Sequence, residues 1–469
     1  MLELVSTVIG TVSNWMYTYI LVILLIAAGL YFTLRTKFIQ FRLFGEAIHV
    51  VTEKNDDKKA ISSFEALMVS TASRVGTGNI AGVATAICLG GVGSVFWMWV
   101  IALLGGASAF IESTLAQIYK VPDDQGGSHG GPAYYIQAAL HSRPLAVVFA
   151  LCLILTYMVG FNMLASFNLL SSFSTYSFYT ETTPLWAGAI LAVLTGLCIF
   201  GGGKRLTKIT SVLVPVMGIG YILMSLVMIV LHIDLLPGTF AAIFQNAFDF
   251  QAVFGGFTGS CVMFGIKRGL FSNEAGVGSA PNAAATANVS HPVKQGLVQM
   301  LSVFIDTLLV CTATAFLCLC SGVAPDAALA GVPYVQLALS GTFGAAGSWF
   351  VTVAMVLFAF TTILGNYFYC EGNLKYLLKR APRNWEMTAF RILAVVIVFL
   401  GAMTDFSLAW DTADVLMGIM ALINLPVILI LAKPALAALG DYVEQKRAGK
   451  DPVFRAKNIG LKEKTAFCN

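Results

Sequence analysis

Charge is what this sequence has least of. Only 11% of its 469 residues are Asp, Glu, Lys or Arg, against about a quarter in a soluble domain, whose surface has to be solvated by water. Such a chain faces something other than water. Its nine cysteines are scattered, mostly inside apolar stretches, with no pair spaced for zinc and none in an outside loop, so a disulfide framework is not expected. The five histidines are far apart, which argues against a histidine metal centre. Neither metal-ligand spacing nor a nucleophile with a base is visible, so the chain does not read as an enzyme. Alternating period-two segments are absent, which excludes a membrane barrel. The net charge of +4 comes with no basic, aromatic-interleaved stripe, so no nucleic-acid partner is expected.

What the chain does have is apolar length. Runs of about 20 residues, enough to cross the hydrocarbon core of a bilayer, recur along it. They define eleven expected spans near 15–34, 64–89, 93–119, 145–173, 185–201, 209–232, 251–290, 296–321, 347–374, 387–404 and 411–432, an all-α membrane protein. Lys and Arg cluster after span 1 (Arg35, Lys37, Arg42, Lys54, Lys58, Lys59), span 3 (Lys120, Arg143), span 5 (Lys204, Arg205, Lys208), span 7 (Lys294), span 9 (Lys375, Lys379, Arg380, Arg383) and span 11 (Lys433 onward). The N-terminus and the loops after the even-numbered spans contain none. Cytoplasmic loops retain these residues, so the N-terminus is expected outside and the C-terminus in the cytoplasm of a cell (inner) membrane protein. The longer charged pieces, 35–63 and 433–469, read as solvated connectors.

Two glycine-rich interruptions stand inside spans. One is Arg74-Val-Gly76-Thr77-Gly78-Asn79-Ile-Ala-Gly82 in span 2; the other is Arg268-Gly-Leu-Phe271-Ser272-Asn273-Glu274-Ala-Gly276-Val-Gly278-Ser279 in span 7. Aligned on their arginines, both have Asn five residues on and Ala-Gly at seven and eight. By the orientation above the two spans run in opposite directions, and each opens a set of five. The resulting organisation is an extra helix and loop (1–63), a first five-helix repeat (64–232), a second (233–432) and a tail (433–469), the arrangement of an inverted-repeat secondary transporter. Gly82 is read as a small packing residue. Gly76 and Gly78, beside Arg74 and Asn79, are read as functional, because polar groups at that depth have to be buried or line a cavity.

Three segments carry a resemblance to a known family: Ser73-Arg-Val-Gly-Thr-Gly-Asn-Ile-Ala-Gly82, Gly130-Gly-Pro-Ala-Tyr-Tyr135, and Phe271-Ser-Asn-Glu-Ala-Gly-Val-Gly-Ser279 running on to Pro281-Asn-Ala-Ala-Ala285. They closely resemble the alanine or glycine:cation symporters (sodium:alanine symporters). The resemblance implies the leucine-transporter architecture, ten core helices in two inverted fives, here preceded by one helix. It also implies a small neutral amino acid as substrate and Na+ as coupling ion. It places the substrate carboxylate on the Thr77 and Gly78 amides, with Asn79 bracing the break. Carbonyls freed near Leu270, Phe271 and Ser272 would accept the ammonium. Thr361 and Thr362, with the carbonyls of Ala72, Val75 and Phe358, match a sodium site, although membrane-helix threonines commonly bond their own i−4 carbonyl.

The charges inside spans pose a second question. Arg74 is about ten residues, some 15 Å, in from the cytoplasmic end of span 2; Glu112 and Asp306 lie at similar depths in spans 3 and 8, and Glu274 is in the second interruption. An isolated charge is costly there, so Arg74 is expected to have an acidic partner, as a structural ion pair or as a moving inner gate. One departure concerns the substrate: where many members of the family carry Gln and Asn in span 4, this chain has Ala165 and Phe167. Ala165 leaves space and Phe167 removes it. The reading is therefore sodium-coupled import of alanine or glycine by alternating access, with glutamine transport or proton coupling as the alternative and a channel as the rival class.

Overall fold

The structure is a computed structural model that describes residues 2–53, 61–123, 127–201, 203–248, 260–461 and 465–467. Lys54, Lys58 and Lys59 and the first residues expected for span 7 lie outside the described residues. The rest is a bundle of helices.

Among the described residues, eight helices are long and apolar enough to cross a bilayer. They are 5–35, Ser94–Ile118, Arg143–Ser171, Lys208–Leu231, Pro292–Leu319, Ala345–Leu378, Asn384–Gly401 and Phe406–Ile430, matching spans 1, 3, 4, 6, 8, 9, 10 and 11. Of the other three expected spans, span 5 is the shorter helix Thr183–Ile199. Spans 2 and 7 are interrupted. Span 1 starts much earlier than its apolar run suggests, since Leu2–Met16 is already helical. Spans 1, 4 and 8 also contain wide π-helical turns, at Tyr17–Leu21, Leu155–Phe161 and Phe304–Cys311. Such turns shift the register of the side chains that follow and recur at functional sites.

Span 2 opens with a capping box. The Ser62 hydroxyl accepts from the Glu65 amide (3.1 Å) while the Glu65 carboxylate accepts from the Ser62 amide (2.9 Å), two otherwise orphaned donors satisfied at once. The helix Ser63–Arg74 then ends at Val75, whose ψ of 84° leaves the helical region. A π turn over Gly78–Gly82 and the helix Val83–Gly90 follow. Span 7 runs as Cys261–Asn273 from the Ser260 cap, turns at Glu274 with φ +53°, and resumes only for Ala280–Ala284. Gly276 and Gly278 in that turn have φ of +82° and +92°, which a side chain would resist. Residues 285–290, expected in this span, are not helical.

Span 3 packs against the first half of span 7 and against span 8, placing both near the centre. Spans 6 and 10 are peripheral, with 28% and 22% of their apolar windows buried. At one end of the bundle the chain before span 2 pairs with the chain after span 7, through a parallel bridge between Ile61 and Ala287 and a 3.0 Å bond from the Asn288 amide to the Ile61 carbonyl.

The tail differs from the expected solvated connector. Residues Ala432–Arg447 form a helix with Ala435, Ala438, Leu439 and Tyr442 buried. It is tied to the rest by Tyr442 and Lys446 on Glu46 and by His291 on Asp441. The piece after span 1 also holds the helices Ile39–Arg42 and Phe44–Thr52. Small apolar residues repeating at helical spacing between charges were the signal for a one-sided helix, outweighed in the sequence reading by overall charge.

Candidate functional site

The two interruptions meet. A β-carbon built on Gly78 would lie 2.6 Å from Cε1 of Phe271, so the head of the half-helix in span 2 is in direct contact with the foot of the half-helix in span 7. The Phe271 ring is itself enclosed by Phe161 (centroids 4.7 Å apart) and Trp410 (5.1 Å).

Asn79 holds the first break open. Its side-chain oxygen accepts from the Gly76 amide at 2.8 Å, and its amide nitrogen donates to Asp306 Oδ1 at 2.6 Å and Ser272 Oγ at 3.0 Å. Ser272 in turn donates to Asp306 Oδ2 at 2.7 Å. One buried carboxylate on span 8 thus secures both broken helices, each carbonyl and amide dipole being worth more away from water. After Gly76, the backbone amides of Thr77 and Gly78 carry no backbone hydrogen bond among the described residues. They sit at the positive end of the 78–90 half-helix.

At the second break the ladder stops in a specific way. The Leu270 carbonyl accepts from the Glu274 amide at 2.9 Å, so of the three carbonyls expected to be free, this one is occupied. The next two amides turn away: Ala275 donates to Asn273 Oδ1 (3.0 Å) and Gly276 to Glu112 Oε1 (3.3 Å). Phe271 and Ser272 therefore lose the i+4 donors that a continuing helix would give them.

Of the paired threonines, only one faces the break. Thr361 donates to the Leu357 and Phe358 carbonyls of its own helix at 3.0 and 3.1 Å, the ordinary behaviour of a membrane threonine. The Thr362 hydroxyl is buried without a hydrogen-bond partner among the described residues and abuts the Gly76 α-carbon. Ala72, Val75 and Phe358 are all buried, the first two in span 2 just before Gly76 and the third on the helix of Thr362. An unpartnered hydroxyl next to an unwound turn is a fit for a hard cation that takes oxygen ligands.

Arg74 corrects an expectation. The guanidinium is 2% exposed and donates to the Gln299 carbonyl at 3.2 Å, with Nε and Nη2 lacking partners; no ion pair involves it among the described residues. The three carboxylates expected to compete for it are engaged elsewhere. Asp306 is bound by Asn79, Ser272 and Thr307. Glu112 caps the second break and holds Asn424 Nδ2 at 2.8 Å. Glu274 accepts from Ser73 at 3.2 Å and Ser279 at 2.6 Å. The Arg74 charge still acts on all three across a longer distance, while their short hydrogen bonds go to other groups.

Span 4 supplies a second correction. Phe167 packs on Phe406 (6.1 Å) and does not face the break, while Asn168 Nδ2 reaches Thr77 Oγ1 at 3.4 Å. Residues two apart on a helix point about 200° apart, whereas 161, 165 and 168 share a stripe. Ala165, 1% exposed, lies on that stripe with Phe161 and Asn168.

The sequence reading missed a buried charge cluster beside the site. Arg268 forms a two-pronged pair with Asp414 (3.1 and 3.0 Å) and lies 4.0 Å over the Trp410 ring. Lys267 pairs with the same carboxylate at 2.9 Å and donates to Ser13 at 2.9 Å. The signal was present: two adjacent cations within an otherwise apolar span, far from any basic loop. Arg268 served there only to align the interruptions.

A family model described as the sodium:alanine symporter family matches residues 2–456. The amino-acid carrier protein AlsT of Bacillus subtilis (strain 168) is 46% identical over 458 residues, covering 97% of this chain and 96% of that one. The probable sodium/glutamine symporter GlnT of the same organism is 43% identical over 460 residues, covering 97% and 94%. Among solved structures, a manganese transporter of Eremococcus coleocola in complex with an aromatic bis-isothiourea compound superposes with a TM-score of 0.53 at 13% identity, covering 88% of this chain and 84% of that one. That likeness is one of fold.

Proposed function

This chain belongs to the sodium:alanine symporter family and is a cation-coupled amino-acid transporter rather than an enzyme, and we propose that it imports alanine or glycine with sodium by alternating access. The observation that carries the reading is the contact of the two interruptions at Gly78 and Phe271. A zwitterion leaving water needs donors for its carboxylate and acceptors for its ammonium. The Thr77 and Gly78 amides offer the first at a half-helix N-terminus, and the Phe271 and Ser272 carbonyls offer the second. Sodium would take the Thr362 hydroxyl with carbonyls of Ala72, Val75 and Phe358, shared between span 9 and the first break. The rings of Phe161, Phe271 and Trp410 would bound the side chain of a small substrate. In this reading the N-terminus is outside, the two sets of five spans rock against each other, and the Arg268–Asp414 pair closes the outer side.

Glutamine is the second reading. It is favoured by Ala165, which removes bulk from the stripe facing the break, and one relative is named as a probable sodium/glutamine symporter. Uptake of labelled alanine, glycine and glutamine into proteoliposomes decides. Accumulation of alanine or glycine driven by an inward sodium gradient is expected; accumulation driven by a pH gradient without sodium would overturn sodium coupling.

A further inference from the structure

We propose that the cavity between the end of span 1 and the helix Ala432–Arg447 binds the phosphate headgroup of an anionic phospholipid. The cavity has a volume of about 460 Å³. Arg35, Lys37 and Arg42 from the chain leaving span 1 and Arg447 from the tail helix line it, against the single carboxylate of Glu444. None of the four cations has an ion-pair partner among the described residues: Arg42 donates to the Thr36 carbonyl at 3.2 Å, and Arg35 sits 6.0 Å over the Tyr31 ring. A neighbouring cavity differs in that two of its three lysines are paired, Lys294 with Glu53 (2.9 Å) and Lys446 with Glu46 (2.7 Å), and Glu53 and Asp451 line it as well. Four cations facing one space repel one another unless an anion sits among them.

The surroundings select a lipid over a free anion. Span 1 ends at Arg35, so the cavity is at the level where hydrocarbon gives way to headgroups. Lys37 and Phe38 both adopt left-handed φ, +56° and +55°, turning the chain sharply there. Leu34, Phe38 and Phe41, at the foot of span 1, are 62%, 51% and 66% exposed. Such exposed rings mark the membrane interface, and basic pockets on the cytoplasmic side hold anionic headgroups. Acyl chains would lie along these side chains with the phosphate among the guanidinium groups, whose forked donors suit it. The choice of leaflet uses the orientation proposed above; binding itself does not depend on transport.

The test is native mass spectrometry of the full chain in detergent with dioleoylphosphatidylglycerol, dioleoylphosphatidylcholine or inorganic phosphate. Wild type should retain phosphatidylglycerol in preference to phosphatidylcholine. The triple variant R35Q/K37Q/R447Q should bind it about a hundredfold more weakly, at roughly a tenfold or less per lost cation. Arg42 is kept because of its bond to Thr36. The variant R35K/R447K should retain most of the preference, and K433Q, on the same helix but outside the cavity, should match wild type. Equal retention of both lipids, or a triple variant that binds like wild type, overturns the proposal. So does loss of binding in K433Q equal to that in the triple variant, which would mean diffuse surface charge. Inorganic phosphate competing at the same concentration as the lipid would make this a free-anion site and overturn the lipid assignment.

Discussion

The Thr362 hydroxyl is packed against the α-carbon of Gly76 and, among the described residues, donates to nothing and accepts from nothing. A buried hydroxyl left in that state costs about 1–3 kcal/mol. Its neighbour Thr361 avoids the cost by bonding back to Leu357 and Phe358. On the proposed function, this asymmetry within one dipeptide assigns the cation to Thr362 rather than Thr361.

The glycines of the first break differ in what they can tolerate. A methyl on Gly78 would collide with the Phe271 ring, and one on Gly76 with Thr362, whereas on Gly82 it would meet Trp410 at an ordinary 3.5 Å. G76A and G78A should reduce uptake about tenfold or more, through overpacking of roughly 1–3 kcal/mol at the site. G82A should transport like wild type. Initial rates in proteoliposomes, normalised to inserted protein, distinguish the three; equal loss in all of them would remove the contact from the account.

Asp414 neutralises two cations, so its loss should matter more than the loss of either. D414N leaves Lys267 and Arg268 buried together, with only Asp411 at 3.9 Å from Lys267. R268Q leaves the Lys267–Asp414 pair in place. Breaking a buried pair costs about 3–5 kcal/mol when a charge is stranded, which predicts a clear fall in thermal stability for D414N, a smaller one for R268Q, and partial recovery in R268Q/D414N. A larger effect of R268Q than of D414N would contradict this order.

Substrate preference should respond to position 165 and not to position 167. Ala165 is on the stripe with Phe161 and Asn168, while Phe167 leans on Phe406. A165Q should shift the ratio of alanine to glutamine uptake, and F167N should leave that ratio unchanged. Competition for labelled alanine by unlabelled glutamine reads both.

The docking of the tail should weaken in acid. His291 accepts from the Val293 amide on Nδ1 and meets Asp441 on Nε2, each at 3.2 Å, so its neutral form is already satisfied. Burial lowers its pKa from 6.5 to about 4, despite the opposing pull of Asp441. Above pH 6.5 the ring is neutral folded or unfolded. Between 6.5 and 4 only the unfolded chain takes up the proton, so stability falls as pH falls through that window. Thermal unfolding at steps from pH 7.5 to 4.5 should show this slope in wild type and a flatter one in H291Q. Identical slopes would assign the acid sensitivity to other groups.

How much of this was written in the sequence varies with the kind of residue. Span positions followed from apolar length, because lipid imposes it locally. The two breaks followed from Gly76, Gly78, Gly276 and Gly278, where the backbone itself has to change course. Partner choice was not legible. Arg74 on Gln299, Asn168 on Thr77 and Arg268 on Asp414 join residues separated by 225, 91 and 146 positions, and depth alone cannot say which polar groups meet. The rotation of span 4, which decides between Phe167 and Asn168, follows the wide turn at Leu155–Phe161, a feature without a clear sequence signature. The tail helix was hidden by its charge, although its alanines and Leu439 repeat on one face.

The most direct measurement is equilibrium binding of labelled alanine to the purified chain across a sodium titration, in wild type, T361A and T362A. The account predicts that sodium raises alanine affinity in wild type and T361A, and that T362A needs a markedly higher sodium concentration for the same effect. Alanine binding that is indifferent to sodium, or a T362A titration that overlays wild type, would contradict it.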